Sequence, residues 1–126
     1  MSGATYELVV GSLDLGERHV DDNVFPQYVT EARERFLEER LGAALEGYGW
    51  PVVHMELDFH AELFGGDRVD ATVEVTDLGT TSFTTEVGLS RDGEPVATAR
   101  TVQVTQDLES GESIPVPDAW RAELEA

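Results

Sequence analysis

Cysteine and lysine are both absent from this 126-residue sequence. Without cysteine, the chain can form no disulfide, no thiolate metal site and no thiol nucleophile. Long apolar runs are missing as well, because no stretch approaches the roughly 20 residues of a membrane helix. The first five residues, MSGAT, lack the basic start and the apolar centre of a signal peptide. We therefore expect a cytoplasmic protein that binds no membrane.

Positive charge is also scarce. The chain has 26 acidic residues against 8 basic ones, all arginine, so its formal net charge is −18. Such a surface repels nucleic-acid phosphates, which excludes DNA and RNA as expected partners. The apolar residues are periodic rather than sparse, which argues against disorder. An acidic, lysine-free surface is typical of a folded protein in a salt-saturated cytoplasm, where salt screens self-repulsion, so we expect a halophilic source.

Hydrophobic periodicity predicts one α+β domain over residues 1–126, with a long amphipathic helix among strands. Apolar residues recur at three- and four-residue steps from Phe25 to Tyr48, which indicates a helix of about five or six turns. We expect Asp22 or Asn23 to cap it. Alternation with a period of two indicates strands elsewhere. The predicted strands are Tyr6–Val10, Val53–Leu63, Val69–Thr76, Ser82–Leu89 and Val96–Gln106, followed by a short helix over Ala119–Leu124.

Two details of the predicted sheet follow from the pattern. Asp92-Gly93 is a strong hairpin signal, and the blurred alternation of the last strand indicates a bulge. A lone helix and a one-faced sheet must bury each other, so the sheet should wrap around the helix. Apolar residues such as Phe83 and Val87 exceed what one helix should cover, which predicts a two-fold dimer with a continuous sheet.

The stretch HVDDNVFPQYVTEAR, from His19 to Arg33, carries a family resemblance. It resembles the signature of acyl-CoA thioesterases of the 4-hydroxybenzoyl-CoA thioesterase type, D-x-D-x-x-G-H-V-N-N-x-x-Y followed by a helix containing E-A-R. His19 and Tyr28 are in register, Asp22 stands where the family has an asparagine, and Phe25 replaces the tyrosine. The resemblance implies the hot-dog fold, a long central helix wrapped by a five-stranded antiparallel sheet. It also implies cofactor-free acyl-CoA hydrolysis by a homodimer or a dimer of dimers.

The resemblance further implies a catalytic carboxylate in the loop before the helix. In the family, an aspartate four residues before the histidine serves as nucleophile or general base. That position is Leu15 here, and Asp14 lies five residues before His19. Either one extra residue in the loop keeps Asp14 in the site, or the usual carboxylate is missing. The free amides at a helix N-terminus could supply the donors that the oxyanion needs.

The other catalytic candidates each have a structural alternative. Asp22 and Asn23 could act on the thioester or cap the helix. His19 could hydrogen-bond a carboxylate or shape the loop. Glu31 could reach the site of a facing subunit or pair with Arg35 four residues on.

The substrate-binding candidates are of two kinds. Some are in register with the family, and the others are arginines that could meet the phosphates of coenzyme A. Each arginine could also be a surface ion-pair partner. The candidates are Phe25, Tyr28, Arg68, Thr81, Ser82, Arg91 and Arg100.

Two other functions remain open at this point. One is a hot-dog protein that binds acyl-CoA or an acyl carrier without hydrolysing it, which the displaced Asp14 favours. The other is a hot-dog hydratase, whose aspartate–histidine pair we do not find. His54, Glu56, Asp58 and His60 share one face of a predicted strand, but this spacing is that of any half-exposed strand, and no metal site is predicted.

The net charge of −18 generates a prediction about salt. Because self-repulsion destabilises the folded state and salt screens it, the melting temperature should rise steeply into the molar range. Thermal melts in low and in multimolar potassium chloride measure this dependence. A melting temperature indifferent to salt would contradict the expected halophilic adaptation.

Overall fold

The long helix and the five-stranded sheet are both present in a computed structural model, which describes residues 3–11 and 20–125. Short 3₁₀ turns precede and follow the long helix, at Asp22–Val24 and Gly42–Leu45. In chain order, the elements are β1 (Gly3–Val9), α1 (Phe25–Leu41), β2 (Tyr48–Gly49), β3 (Val52–Phe59), β4 (Arg68–Leu78), β5 (Ser82–Arg91), β6 (Glu94–Val104), β7 (Gln106–Asp107) and α2 (Asp118–Glu125). The predicted α+β class is confirmed.

The sheet has the strand order β1-β4-β5-β6-β3, and every neighbouring pair is antiparallel. Strands β1 and β3 are therefore its two edges, while β2 and β7 form a separate two-stranded ribbon. Helix α1 packs on one face, which is why residues alternate so regularly in β4. There Val69, Ala71, Val73 and Val75 are buried and the residues between them are exposed. None of the helices in the described ranges is long and apolar enough to span a membrane.

The hairpin and the bulge predicted from the sequence are both present. Asp92 and Gly93 have positive φ angles of 52° and 80°, as a two-residue hairpin turn requires. Leu89 pairs with Ala97, but the next residue of β5 pairs with Pro95, so Val96 is the extra residue of β6. The carbonyl of Val96 then accepts hydrogen bonds from residues that follow β3.

The start and the end of α1 differ from the prediction. A 3₁₀ turn comes first, and neither Asp22 nor Asn23 makes a side-chain cap; Val24 occupies the cap position and its amide bonds the backbone of Asp21 at 2.9 Å. The helix ends at Leu41 rather than near Tyr48, because Gly42 adopts a positive φ of 48°.

The predicted strand Val53–Leu63, which is β3 in the structure, is shorter than expected and differently buried. It ends at Phe59 because the amides of His60 and Ala61 both turn to the carbonyl of Val96, at 2.7 and 3.1 Å. As an edge strand it leaves Val53 59% and Phe59 49% exposed. The expected apolar excess therefore lies on β3.

The prediction that Phe83 and Val87 leave apolar surface uncovered by the helix is wrong. Phe83 and Val87 of β5 are buried in the described chain, on the sheet face that α1 covers. A central strand has neighbours on both sides, so one helix is enough to cover its inner face.

Tyr6 ties edge strand β1 to the C-terminal half of α1. Its hydroxyl donates to the carboxylate of Glu39, and the guanidinium of Arg35 lies 4.7 Å from the centre of its ring. Burial, reinforced by the hydrogen bond to Glu39, raises the pKa of Tyr6 to about 12. The phenol therefore stays neutral over the physiological pH range.

Trp120 of α2 closes the core at the C-terminal end of α1. Its ring is fully buried and contacts the rings of Tyr48, Trp50 and Phe83 at centroid distances of 5.7, 5.9 and 6.1 Å. Its indole N–H donates to the carbonyl of Ala44 at 2.8 Å. The short second helix is thus an integral part of the core.

Trp120→Ala should destabilise the fold by about 3–5 kcal/mol, because it leaves a cavity among three aromatic rings and removes the hydrogen bond to the part-buried carbonyl of Ala44. Urea unfolding at constant high salt measures the loss. Leu108→Ala is the matched control, since Leu108 is 60% exposed and should change stability by less than about 0.5 kcal/mol. Equal effects of the two substitutions would show that α2 is not needed to close the core.

Candidate active site

The N-terminal end of α1 opens onto a cavity of about 220 Å³. It lies between the helix start and the chain that leaves β3. The lining residues are Val20, Asp22, Phe25, Phe59, His60, Ala61 and Glu62. Of the residues predicted for the site, Asp22 and Phe25 are therefore found together here.

Unpaired backbone amides characterise the helix start beside this cavity. Within the described ranges, the amides of Asp22 and Asn23 donate to no other group, and no side chain caps the turn. These amides also lie at the positive end of the α1 dipole. The helix start can therefore donate hydrogen bonds to a developing negative charge.

Two phenylalanine rings form the apolar wall of the cavity. Phe25 is buried at the start of α1, and Phe59 is half-exposed at the end of β3. Their ring centroids are 5.2 Å apart in an edge-to-face arrangement. Tyr28, one turn further along the helix, packs behind Phe25 at 6.3 Å and is itself buried.

His60 of the cavity is held by both backbone and side-chain hydrogen bonds. Its backbone bonds to Val96, and its Nε2 lies 3.1 Å from the hydroxyl of Thr98. His54 bonds the carboxylate of Glu56 at 3.0 Å on the outer face of the sheet, and this hydrogen bond lowers the pKa of Glu56. Thr98 pairs with Asp58 and lies beside Glu56 on the outer face, so the His60 ring reaches the face that carries His54, as expected, while His60 also lines the cavity.

Asp14 and His19 lie outside the described residues. The described chain on either side of them is bonded to the connection between β3 and β4. Val10 exchanges backbone hydrogen bonds with Gly66 and Asp67, and the amide of Val20 donates to the carbonyl of Leu63 at 2.8 Å.

Glu31 lies away from the cavity, on the exposed side of α1. It lines a second cleft, of about 270 Å³, between α1 and β1 with Glu7 and Gln27. No ion pair joins it to Arg35, whose guanidinium lies over Tyr6 instead. The expected i, i+4 pair is therefore not formed.

The three candidate arginines do not converge on one site. Arg68 pairs with Glu7 at 2.7 Å on the exposed β1–β4 edge, and Arg100 lies opposite Glu56 and Glu86 on the outer face of the sheet.

Arg91 is the arginine that lies next to the cavity. It donates to the carbonyl of Glu62 and to the carboxylate of Asp67, both at 3.0 Å. The amide of Phe64, and then Arg91, hold the pKa of Asp67 below its usual range. Among the three arginines, Arg91 is thus the one that contacts a cavity-lining residue.

Thr81 and Ser82 lie at the other end of the sheet. The carbonyl of Thr81 accepts from Thr105, and that of Ser82 accepts from Gly79, in the turn before β5. Arg121 of α2 bonds the same turn. Neither residue lines the cavity at the start of α1.

Sequence reasoning missed Phe59, His60 and Glu62 as cavity residues. It assigned all three to a straight strand reaching Leu63, whereas the chain bends after Phe59. The blurred alternation around Val96 was the available signal, since that bulge supplies the carbonyl that ends β3. Within the described ranges, no group of three or more histidine, aspartate or glutamate side chains could hold a metal ion.

Comparison with known proteins places this arrangement in a family. The profile of the thioesterase-like superfamily matches residues 14–124. A 1,4-dihydroxy-2-naphthoyl-CoA hydrolase of Synechococcus elongatus is 32% identical over 68 residues, which are 54% of this chain and 50% of that protein. The chain thus spans about half the length of the curated relatives it matches.

Two solved structures align with nearly the whole of this chain. A 1,4-dihydroxy-2-naphthoyl-CoA thioesterase from Synechocystis is 26% identical, with a TM-score of 0.85 and coverage of 98% of this chain and 96% of that one. A thioesterase-superfamily protein from Jannaschia sp. CCS1 is 25% identical, with a TM-score of 0.93 and coverage of 98% and 92%. With its long helix on a five-stranded antiparallel sheet, the chain belongs to the thioesterase-like superfamily and has the hot-dog fold.

Proposed function

We propose that this protein hydrolyses acyl-CoA thioesters at the cavity beside the start of α1. The observation that carries the proposal is the pair of unpaired amides at Asp22 and Asn23, beside a cavity of about 220 Å³ that has an apolar wall. The family and its CoA-thioesterase members support the same reaction.

The proposed chemistry uses the helix start and a loop carboxylate. The thioester oxygen accepts hydrogen bonds from the amides of Asp22 and Asn23, which stabilise the charge that develops there. The carboxylate of Asp14 either attacks the carbonyl carbon or takes a proton from the water that does. The carbon–sulfur bond then breaks, and coenzyme A leaves as the thiolate. In sum, one water and one thioester give a carboxylic acid and coenzyme A.

Asp14 is the proposed base because it is the only acidic residue between Glu7 and Glu17. The described chain on both sides of its loop is bonded to residues 63–67, which directly follow the cavity residues Ala61 and Glu62. Within the proposal, His19 shapes the loop that carries Asp14, and Glu31 would act only in the site of a facing subunit, because it does not line this cavity.

An aromatic acyl group is the proposed substrate class. The edge-to-face pair of Phe25 and Phe59 offers the contact that an aryl ring prefers. Two of the relatives named above act on 1,4-dihydroxy-2-naphthoyl-CoA, which supports the same class. A 4-hydroxybenzoyl group is the smaller alternative. Arg91, beside Glu62, is the arginine proposed to meet a coenzyme A phosphate.

A homodimer joined along β3 is part of the proposal. The inner-face residues of edge strand β1, such as Tyr6 and Leu8, are buried, whereas Val53 and Phe59 of edge strand β3 are about half exposed. Pairing β3 with its copy would continue the sheet and cover this apolar surface. It would also place a second subunit beside the cavity at Phe59. The net charge of −18 supports the further proposal that this dimer works in a salt-rich cytoplasm.

Asp14→Asn should cut thioesterase turnover by about 100-fold or more, because the neutral amide cannot act as nucleophile or base. The melting temperature should stay unchanged. Asp22→Asn is the matched control, since the Asp22 side chain makes no cap and asparagine keeps its shape. The rates of both variants are measured with a panel of aryl-CoA thioesters, by monitoring the free coenzyme A thiol that hydrolysis releases.

Two results would contradict this assignment. If Asp14→Asn is as fast as the parent and Asp22→Asn is inactive, the base lies at the helix start. If the parent binds aryl-CoA but hydrolyses none, the protein is an acyl-CoA binding module rather than an enzyme.

Val53→Lys should convert the dimer to a monomer, because a charged side chain on the β3 edge opposes pairing with another strand. Val9→Lys is the control, since Val9 is 57% exposed on the opposite edge strand, β1, and should leave the dimer intact. Light scattering at micromolar protein in high salt distinguishes the two states. A monomeric parent, or dissociation caused only by Val9→Lys, would rule out the β3 interface.

A further inference from the structure

The connection between β3 and β4 presents an aromatic ring at the surface, close to the cavity but outside it. Phe64 is 43% exposed, whereas Leu63 before it is fully buried. Phe64 does not line the cavity, but it follows the cavity residue Glu62 by two positions. A single exposed ring is common on protein surfaces, and what sets this one apart is how firmly it is held and what lies beside it.

Phe64 is held by both of its backbone groups. Its amide donates to the carboxylate of Asp67 at 2.8 Å, and its carbonyl accepts from the amide of Asp67 at 3.1 Å. The carbonyl of Leu63 accepts from the amide of Val20 at 2.8 Å, so the preceding residue is fixed as well. A ring on a backbone held in this way loses little freedom when it binds a ligand, which favours affinity.

A cation lies directly beside this ring. The guanidinium of Arg91 lies over Phe64, 5.9 Å from the centre of the ring. Arg91 also donates to the carbonyl of Glu62 and to the carboxylate of Asp67, both through Nη1 at 3.0 Å. Among the described residues, these two bonds use one nitrogen of a group that has several N–H donors, so its other donors can meet a phosphate oxygen.

This pair of side chains matches the nucleotide end of coenzyme A. Coenzyme A carries its sulfur at one end of a long pantetheine arm and an adenine nucleotide at the other, so the nucleotide must lie outside a cavity that holds the thioester. Adenine stacks on aromatic side chains, and phosphate binds guanidinium. Asp67 offsets part of the charge of Arg91, so the stacking contact should supply the larger share of the affinity.

We propose that Phe64 is the platform on which the adenine of coenzyme A stacks, with Arg91 beside it on a phosphate. This inference rests on the proposed function, because it locates the nucleotide end of the same substrate. It adds a binding site outside the acyl cavity. An acyl group carried on pantetheine alone should therefore bind more weakly than the same group carried on coenzyme A.

The test compares matched ligands with and without the nucleotide. Benzoyl-CoA and benzoyl-pantetheine serve for turnover, and the benzyl thioethers of coenzyme A and of pantetheine, which cannot be hydrolysed, serve for calorimetric binding. The measured quantity is the nucleotide preference, that is, the ratio of kcat/KM or of Kd between the two ligands of a pair. Each ratio is measured in low and in multimolar potassium chloride.

Four variants test the platform. Phe64→Ala should reduce the nucleotide preference by about 10-fold, the loss of one base–aromatic stack. Phe64→Trp keeps an aromatic face and should keep the preference, whereas Phe64→Leu keeps only an apolar side chain and should lose it. Leu108→Ala is the control, because Leu108 is an exposed apolar residue that lies near Gly49 instead, and it should behave like the parent.

Salt separates stacking on Phe64 from an indirect effect through Arg91. Screening weakens a contact between phosphate and guanidinium, but not the stacking of two rings. The effect of Phe64→Ala should therefore be the same at both salt concentrations. An effect that vanishes in multimolar salt would show that Phe64 only positions Arg91, and it would overturn the proposed platform.

The remaining outcomes decide between the two levels of the proposal. Loss of the nucleotide preference in Phe64→Ala, with the pantetheine ligands unaffected and the preference kept in Phe64→Trp, supports the assignment. An unchanged preference in Phe64→Ala, an equal loss for both ligands of a pair, or a parent without any preference overturns it and leaves the thioesterase proposal intact. If the parent hydrolyses neither thioester, the thioether ratio still tests Phe64, and only the proposed enzyme activity fails.

Discussion

Mutual burial of α1 and the inner face of the sheet is the constraint on which the other features depend. Phe36, Val29 and Ala32 have no exposed surface, and they cover β4 and β5, whose inner residues are equally buried. This packing fixes the direction of the helix across the sheet. Its N-terminus is thereby placed beside the end of β3, where the cavity lies.

One residue on the buried side of α1 departs from this logic. Arg33 is almost fully buried, and among residues 3–11 and 20–125 its Nε has no hydrogen-bond partner and the carboxylate paired with it, that of Glu34, is 3.8 Å away. Burial lowers the pKa of its guanidinium, since desolvation disfavours the charged form. The helix thus carries a cost at Arg33 that its apolar neighbours must offset.

The geometry of the site depends on a backbone feature rather than on side chains. The bulge at Val96 leaves one carbonyl free of the β5–β6 ladder, and that carbonyl ends β3 by accepting from His60 and Ala61. Because β3 ends there, His60 and Ala61 line the cavity, while the His60 ring still bonds to Thr98 on the outer face of the sheet. A bulge in β6, three strands after β3 in the sequence, thus helps to determine which residues line the cavity.

Much of the fold could be predicted because it depends on periodicity. The stripe beginning at Phe25, the alternation in β4 and the Asp92-Gly93 turn each reflect a local preference that the packed structure keeps. The helix ends were harder to predict, since a 3₁₀ turn replaced the expected cap and Gly42 ended α1 early. The burial of Phe83 depends on strand order, which periodicity does not encode.

The candidate site was predictable only in part, for a related reason. The helix start at Asp22 and Phe25 is local in sequence, and a motif resemblance finds it. Phe59, His60 and Glu62 reach the same cavity through a bond between β3 and β6, which are separated by more than thirty residues. Long-range backbone contacts of this kind leave no short pattern in the sequence.

One end of α1 contributes to stability and the other to the cavity. The distance between them determines how substitutions at one end affect the other. The aromatic cluster around Trp120 closes one end of the helix and the cavity opens at the other. Seventeen residues of helix set them roughly 25 Å apart. Substitutions around the cavity therefore leave the aromatic cluster untouched. Their effects on the free energy of unfolding add to those of substitutions in the cluster. A scaffold built this way can exchange one acyl preference for another in single steps, with little risk of unfolding between them.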